Sequence, residues 1–301
     1  MIPQEILRQV RQLEVTTRSL VNTLFSGEYH SAFKGKGMEF SEVREYHYGD
    51  DIRQIDWNVT ARNNAPFIKV FTEEREQVLM LVVDASASGE FGSGDQMKGE
   101  VAVKLAALLA FSAIKNNDRV GLIIFTDRVE KFVPPKKGRG HVLRLLRELL
   151  YFKPQGRGTD VKGALEYLNR VVRRRSVVLV VSDFMDSGFE RSLRITNRRH
   201  DVIALTVCDL RERAIPAVGL VALEDAETGE RVVIDTSSKT FQAEYEKISR
   251  GRYRQLTKLM DQLHVDHVEI AIGAKGDTLK EYVKPLVAFF RRRAKAIGEG
   301  R

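Results

Sequence analysis

Residues 78–88, VLMLVVDASAS, hold six consecutive apolar side chains and then change abruptly to one acid and two alternating serines. An apolar run of that length, closed by small polar residues, is the pattern of a strand buried on both faces. Such strands belong to parallel sheets covered by helices. Two later stretches repeat the pattern, SVVLVVSD at 176–183 and DVIALTVCD at 201–209. Working outward from them, strands are expected at 77–84, 119–126, 129–133, 176–182, 202–208 and 266–272. Helices are expected at 96–116, 140–152, 160–173, 188–198, 238–263 and 278–293. This alternation predicts an α/β, three-layer domain with a mostly parallel six-stranded sheet over residues 77–301. The stretch 210–237 breaks the rhythm: GLVALED and ERVVIDT flank Ala226-Glu227-Thr228-Gly229, which reads as a hairpin inserted beside the sheet edge.

Upstream, Ile6, Val10, Leu13, Leu20, Val21 and Leu24 recur at helical spacing, so residues 1–26 are expected to form an amphipathic helix ended by Gly27-Glu28. Residues 27–76 are rich in acids, bases and aromatics without a sustained period, which suits short strands and turns better than helices. No apolar run is long enough for a membrane span and the N-terminus has no secretory core, so a cytoplasmic location is expected. One cysteine, Cys208, excludes an internal disulfide framework and a thiolate zinc cage, and reads as a small core residue. The six histidines lack ligand spacing; His264 and His267 flank a strand as surface or packing residues.

The net charge of +8 raises the question of nucleic acid. The basic clusters Arg173-Arg174-Arg175, Arg198-Arg199 and Arg291-Arg292-Arg293 fall at or near predicted helix ends, where cations offset the helix dipole and stay solvated. That placement argues against nucleic acid or anionic lipid as the partner.

In open parallel sheets ligands bind outside the carboxyl ends of the strands. The first buried strand delivers Asp84, Ser86 and Ser88 there, and the 176–182 strand delivers Asp183. GRGTDVKGAL puts Thr159 behind two glycines and ahead of a helix. Each has an ordinary explanation: serine and threonine cap helices, with Thr159 a natural N-cap, and Asp183 suits a turn. Together they are three hydroxyls and two carboxylates, hard oxygen donors suited to Mg²⁺ or Mn²⁺ and not to zinc.

Asp84-x-Ser86-x-Ser88, Thr159 and Asp183, in that order, resemble the complete metal-ion-dependent adhesion site (MIDAS) of von Willebrand factor A domains, whose Rossmann-like fold also fits the element order from 77 to 293. A second resemblance lies upstream. Gly35-x-Gly37-x-Glu39-Phe40, then Arg44-Glu45-Tyr46-x-x-Gly49-Asp50-Asp51-x-Arg53-x-Ile55-Asp56-Trp57 and Thr60-Ala61-Arg62, is similar to the signature of a bacterial family, domain of unknown function family 58. Its members carry this segment before an A-like domain and are often encoded beside a MoxR-type AAA+ ATPase.

The resemblance implies no catalysis. It implies a divalent-metal-dependent interaction module whose ion takes a Glu or Asp carboxylate from a partner protein, with a MoxR-type ATPase as the expected associate in complex assembly or maturation. Arg44, Asp50, Asp51, Arg53, Asp56 and Arg62 would then offer a docking face. The structural alternative has Phe40, Tyr46, Tyr48, Ile55 and Trp57 packing the segment onto the sheet, with pairs of the Arg44–Asp56 type fixing its turns. The competing functional expectation is a metal-dependent phosphohydrolase or nuclease using Asp50, Asp51 and Asp56 with Arg53. Neither a nucleotide-binding phosphate loop nor a His-Glu-x-x-His pair accompanies those acids.

Overall fold

The computed structural model describes residues 4–21, 26–33, 39–63, 65–72, 76–273 and 278–299. Two compact units emerge, residues 33–77 and residues 1–32 together with 78–301. The larger unit is built on a six-stranded sheet in the order β10-β7-β6-β3-β4-β5. Its strands are β3 (Val78–Asp84), β4 (Arg119–Phe125), β5 (Val129–Lys136), β6 (Val177–Ser182), β7 (Asp201–Asp209) and β10 (Asp266–Ile272). All pairings are parallel except β4 with the edge strand β5. The α/β class and the mostly parallel six-stranded sheet are therefore as the sequence predicts.

Both faces of β3 are covered, which is why it reads as a continuous apolar run. Met80 and Val82 join a core with Val161, Leu165 and Leu168 of α6 (Val161–Val171), Leu193 of α7 (Glu190–Arg199) and Met260 of α8 (Lys239–Leu263). Leu79, Leu81 and Val83, on the opposite face by the two-residue alternation of a strand, are equally buried. α4 (Lys98–Lys115) packs on β3, β4 and β7, and its outer side meets α1 (Gln4–Leu20) and α5 (Arg139–Leu150). Sandwiched between layers, α4 is apolar nearly all round, with Val101, Leu105, Leu108 and Leu109 fully buried. Each such side chain contributes about 1.5–3 kcal/mol by leaving water. From β3 the chain passes through α4 to β4 and β5, then returns to the other side of β3 as β6, so the order reverses between β3 and β6. The crevice outside their carboxyl ends is where this architecture places ligands.

Several local expectations change. The opening helix ends at Leu20, and residues 22–25, including Leu24, lie outside the described residues. A second helix, α2 (Ser26–Phe33), runs through Gly27-Glu28 where a break was expected. Tertiary packing overrides the glycine: Tyr29 is buried edge-on against Phe290 of α9 (Leu279–Glu299) and donates to Asp118 Oδ2 at 3.4 Å. Glu14 of α1 accepts from Arg139 of α5 at 2.5 and 2.9 Å. The N-terminal helix is thus part of the larger unit. Arg293 is not a solvated helix end either, since its guanidinium bonds Asp201 and Asp266. Cys208 is fully buried, as expected. The hairpin is present as β8 (Leu220–Glu224) and β9 (Arg231–Asp235), in a two-stranded sheet of its own that does not pair with the larger one.

In the smaller unit, β1 (Glu39–Glu45) pairs antiparallel with β2 (Phe67–Thr72). A 3-10 turn (Ile52–Gln54) and a short helix, α3 (Trp57–Asn63), lie between them. The helix was not expected. Its start is made by Asp56, whose Oδ1 accepts from the Asn58 and Val59 amides at 3.0 and 3.3 Å. Trp57 is 70% exposed and Tyr48 fully exposed, which corrects the expectation that these rings pack inward. Ile55 bridges to the buried Ile68. Gly35 and Gly37 of the signature lie outside the described residues.

Candidate functional site

The carboxyl end of β3 places Asp84 against the end of β6. Its Oδ1 accepts from the Ser86 amide at 2.9 Å, and its Oδ2 accepts from the Ser182 hydroxyl at 2.6 Å. Burial pushes the Asp84 carboxyl up to about 6; the Ser182 hydroxyl and Ser86 amide favour the ionised form, and the nearby Asp183 charge opposes it. Ser86 precedes a 3-10 turn (Ala87–Glu90) in the capping position, yet its hydroxyl makes no capping bond. It stands 3.0 Å from the Ser88 hydroxyl instead. The helix-cap explanation of these serines therefore fails.

Thr159 is not a cap either. The N-cap of α6 is Asp160, which accepts from the Gly163 amide at 2.8 Å. The Thr159 hydroxyl is left to donate 2.7 Å to Glu227 Oε1, at the tip of the β8–β9 hairpin.

Asp183 follows β6 and accepts from the Met185 amide at 3.2 Å, so part of the turn-forming explanation holds. Its other oxygen takes a 2.9 Å bond from Lys98 Nζ, which also donates to Glu212 Oε1 at 2.6 Å. The Lys98 side chain is 5% exposed. Burial opposes its charge, but the Asp183 and Glu212 carboxylates outweigh burial and hold its pKa above the usual lysine value. Glu212 is fixed by a capping box with Asp209 at the end of β7. Between these residues the backbone is strained: Phe184 has φ 54°, a left-handed conformation costly for a bulky side chain, and its amide donates to Ser182 Oγ at 3.1 Å.

Asp84, Ser86, Ser88, Lys98, Ser182 and Asp183 line one cavity of about 20 Å³. That is room for one water-sized particle or ion. Four of the five sequence-predicted positions converge on it, and Thr159 faces Glu227 instead. Adjacent ligands in an octahedral shell with bonds of about 2.1 Å stand roughly 3 Å apart, which the Ser86–Ser88 hydroxyl spacing of 3.0 Å matches. The donors are of the kind a hard divalent cation takes and this one spacing suits neighbouring ligands, while the Lys98 ammonium on Asp183 is a charge that opposes a cation. Among the described residues no group of three or more His, Cys, Asp or Glu side chains is placed to hold a metal. A cation here would rely on the hydroxyls.

Sequence reasoning missed Lys98, Ser182, Glu212 and Glu227. Ser182 had a local signal, as the residue before Asp183 at the end of an apolar run. The other three reach the site from distant segments.

The acids of the smaller unit do not converge. Asp50 takes a bidentate pair from Arg44 at 2.8 and 2.9 Å, not the Arg44–Asp56 pairing expected. The Arg44 guanidinium and the His47 amide hold the Asp50 carboxyl below the usual range. Asp51 accepts from the Arg53 amide at 2.9 Å, and Asp56 caps α3 and pairs with Lys69 at 3.5 Å. Arg53 and Arg62 have exposed side chains.

The family model described as "Protein of unknown function DUF58" matches residues 42–255. An uncharacterized protein of Mycobacterium bovis, Mb1516, is 36% identical over 223 residues, 73% of this chain and 70% of that protein. Among solved structures, the conserved hypothetical protein BatB from Bacteroides thetaiotaomicron is similar at 17% identity and a TM-score of 0.46, over 73% of this chain and 99% of the other. The SpRpn10 VWA domain is similar at 11% identity and a TM-score of 0.34, over 44% and 76%. With a family model spanning most of its length, and the Arg44-to-Arg62 signature inside the match, the chain belongs to the DUF58 family.

Proposed function

We propose that this protein is a protein-interaction module whose grip depends on a divalent cation, Mg²⁺ or Mn²⁺. Asp84, Ser86, Ser88, Thr159 and Asp183 would hold the ion. When bound, it supplies an electrophilic position for a Glu or Asp carboxylate of a partner protein. The observation that carries this reading is the convergence of Asp84, Ser86, Ser88 and Asp183 on one ion-sized cavity at the reversal point of the sheet. Hydroxyls that serve as neither helix caps nor core bonds support it further. Two carboxylates with neutral hydroxyls leave a cation short of anionic ligands, which suits recruiting one from outside.

The partner proposed is a MoxR-type AAA+ ATPase, with this chain as adaptor in complex assembly or maturation. Arg44, Asp50, Asp51, Arg53, Asp56 and Arg62 belong to the docking proposal, with Arg53 and Arg62 exposed for it. The enzyme alternative has no observation in its favour, because Asp50, Asp51 and Asp56 are each engaged in local turns or caps. Among the described residues no helix is long and apolar enough to cross a membrane.

Co-purification of the full chain with the AAA+ ATPase, in Mg²⁺ and in chelator, tests this. Capture should occur in Mg²⁺, fall at least about tenfold in chelator and fall equally for Asp84→Ala, a change of about 1.4 kcal/mol or more. Undiminished capture in chelator would overturn the mechanism.

A further inference from the structure

We infer that the groove between the 183–189 loop and α8 is a docking site for a segment of a partner protein that presents apolar side chains beside Lys or Arg. This goes beyond the cation reading and needs no metal.

The groove encloses about 740 Å³. Its α8 wall is the stripe Tyr245, Ile248, Arg252, Leu256 and Leu259, spaced three or four residues apart and so on one face of the helix. From Tyr245 to Leu259 that face runs roughly 21 Å, the reach of about seven extended residues. Phe184 and Phe189 are buried with their ring centroids 5.8 Å apart, and Leu256 and Leu259 are partly buried against the same core. Met185 and Ile248, by contrast, are left 57% and 53% exposed. Large apolar side chains left open together in a concave place mark a contact surface.

Charge says what kind of segment fits. Asp183, Asp186, Glu190 and Glu212 line the groove, and Arg252 is the one cation among its lining residues. Asp183 and Glu212 share the Lys98 ammonium. Asp186 is held by backbone amides, Val161 at 3.0 Å and Ser187 at 2.6 Å, and Glu190 makes no ion pair among the described residues. Four carboxylates against one guanidinium and one ammonium leave a negative wall on a chain whose net charge is +8. A cationic apolar segment is drawn to such a place and an acidic one is repelled.

Both walls are fixed in advance. The Asp186–Val161 bond ties the loop to the start of α6. Across the groove, Ser249 Oγ donates to Glu212 O at 2.6 Å and the Tyr245 hydroxyl to Arg211 O at 3.3 Å, which ties α8 to the turn Leu210–Glu212. A groove already shaped costs little ordering when it is filled.

The test titrates the full chain, in chelator, into the fluorescein-labelled peptide Lys-Leu-Arg-Trp-Lys-Leu-Arg and into its acidic counterpart Glu-Leu-Asp-Trp-Glu-Leu-Asp, read by anisotropy. Wild type should bind the basic peptide at least about tenfold more tightly than the acidic one. Ile248→Ser and Glu190→Lys, both confirmed as folded by circular dichroism, should each weaken the basic peptide about tenfold. Failure of wild type to bind the basic peptide, equal affinity for the two peptides, or variants that bind as tightly as wild type would overturn the assignment. So would self-association of wild type that Ile248→Ser abolishes, because a second copy of the chain would then fill the groove. With chelator present throughout, each of these outcomes leaves the cation proposal untouched.

Discussion

Lys98 is the side chain that most alters the chemistry of the site. An ammonium 2.9 Å from Asp183 and 2.6 Å from Glu212, almost removed from water, is stabilised by two carboxylates that would otherwise repel each other. A divalent ion drawn to Asp183 binds against that charge. A second buried group behaves differently. His200 is 1% exposed and neither ring nitrogen has a hydrogen-bond partner. Burial, with Arg199 and Arg175 nearby, lowers its pKa to about 4 from the ordinary 6.5. The unfolded chain takes up this proton near 6.5 and the folded chain only near 4. Stability from the neutral ring is therefore complete above 6.5 and is lost as pH falls from there towards 4. Urea unfolding at pH 7 and pH 5 should show wild type losing about 2 kcal/mol more than His200→Leu over that interval. An identical loss in both would show that the ring does not stay neutral in the fold.

At the scale of elements, α3 tests how a short helix without an apolar stripe is specified. A helix of this length does not hold itself together in water, and Asp56 satisfies two of its free amides. Asp56→Ala should lower stability by about 1 kcal/mol and Asp56→Ser by much less, measured by urea unfolding. Equal losses would mean the Lys69 pair, not the cap, is what matters. α3 was illegible in the sequence because a single capping acid looks like any turn former. β3, β6 and β7 were legible because strands buried on both faces leave continuous apolar runs. The hairpin was legible from its two flanking runs and the Thr228-Gly229 turn. Its destination was not, since strands that pair only with each other carry no mark of where their tip points.

At the scale of the whole chain, the same division separates what the sequence reveals of the site from what it hides. Asp84, Ser86 and Ser88 share one strand end, and Asp183 repeats its chemistry at the next, so alternation and spacing expose them. Lys98 meets Asp183 and Glu212, and Glu227 meets Thr159, across long stretches of chain. The meeting of Lys98, Asp183 and Glu212 arises from the sheet order, which places the ends of β3, β6 and β7 side by side. Family membership adds no activity to this picture, and the central claim rests on the donors themselves. Its most direct test is titration of the full chain with Mn²⁺, followed by the free-ion EPR signal. Wild type should bind one ion, and Asp84→Ala should weaken that binding at least about tenfold. Failure of wild type to bind, or equal binding by the variant, would contradict the account.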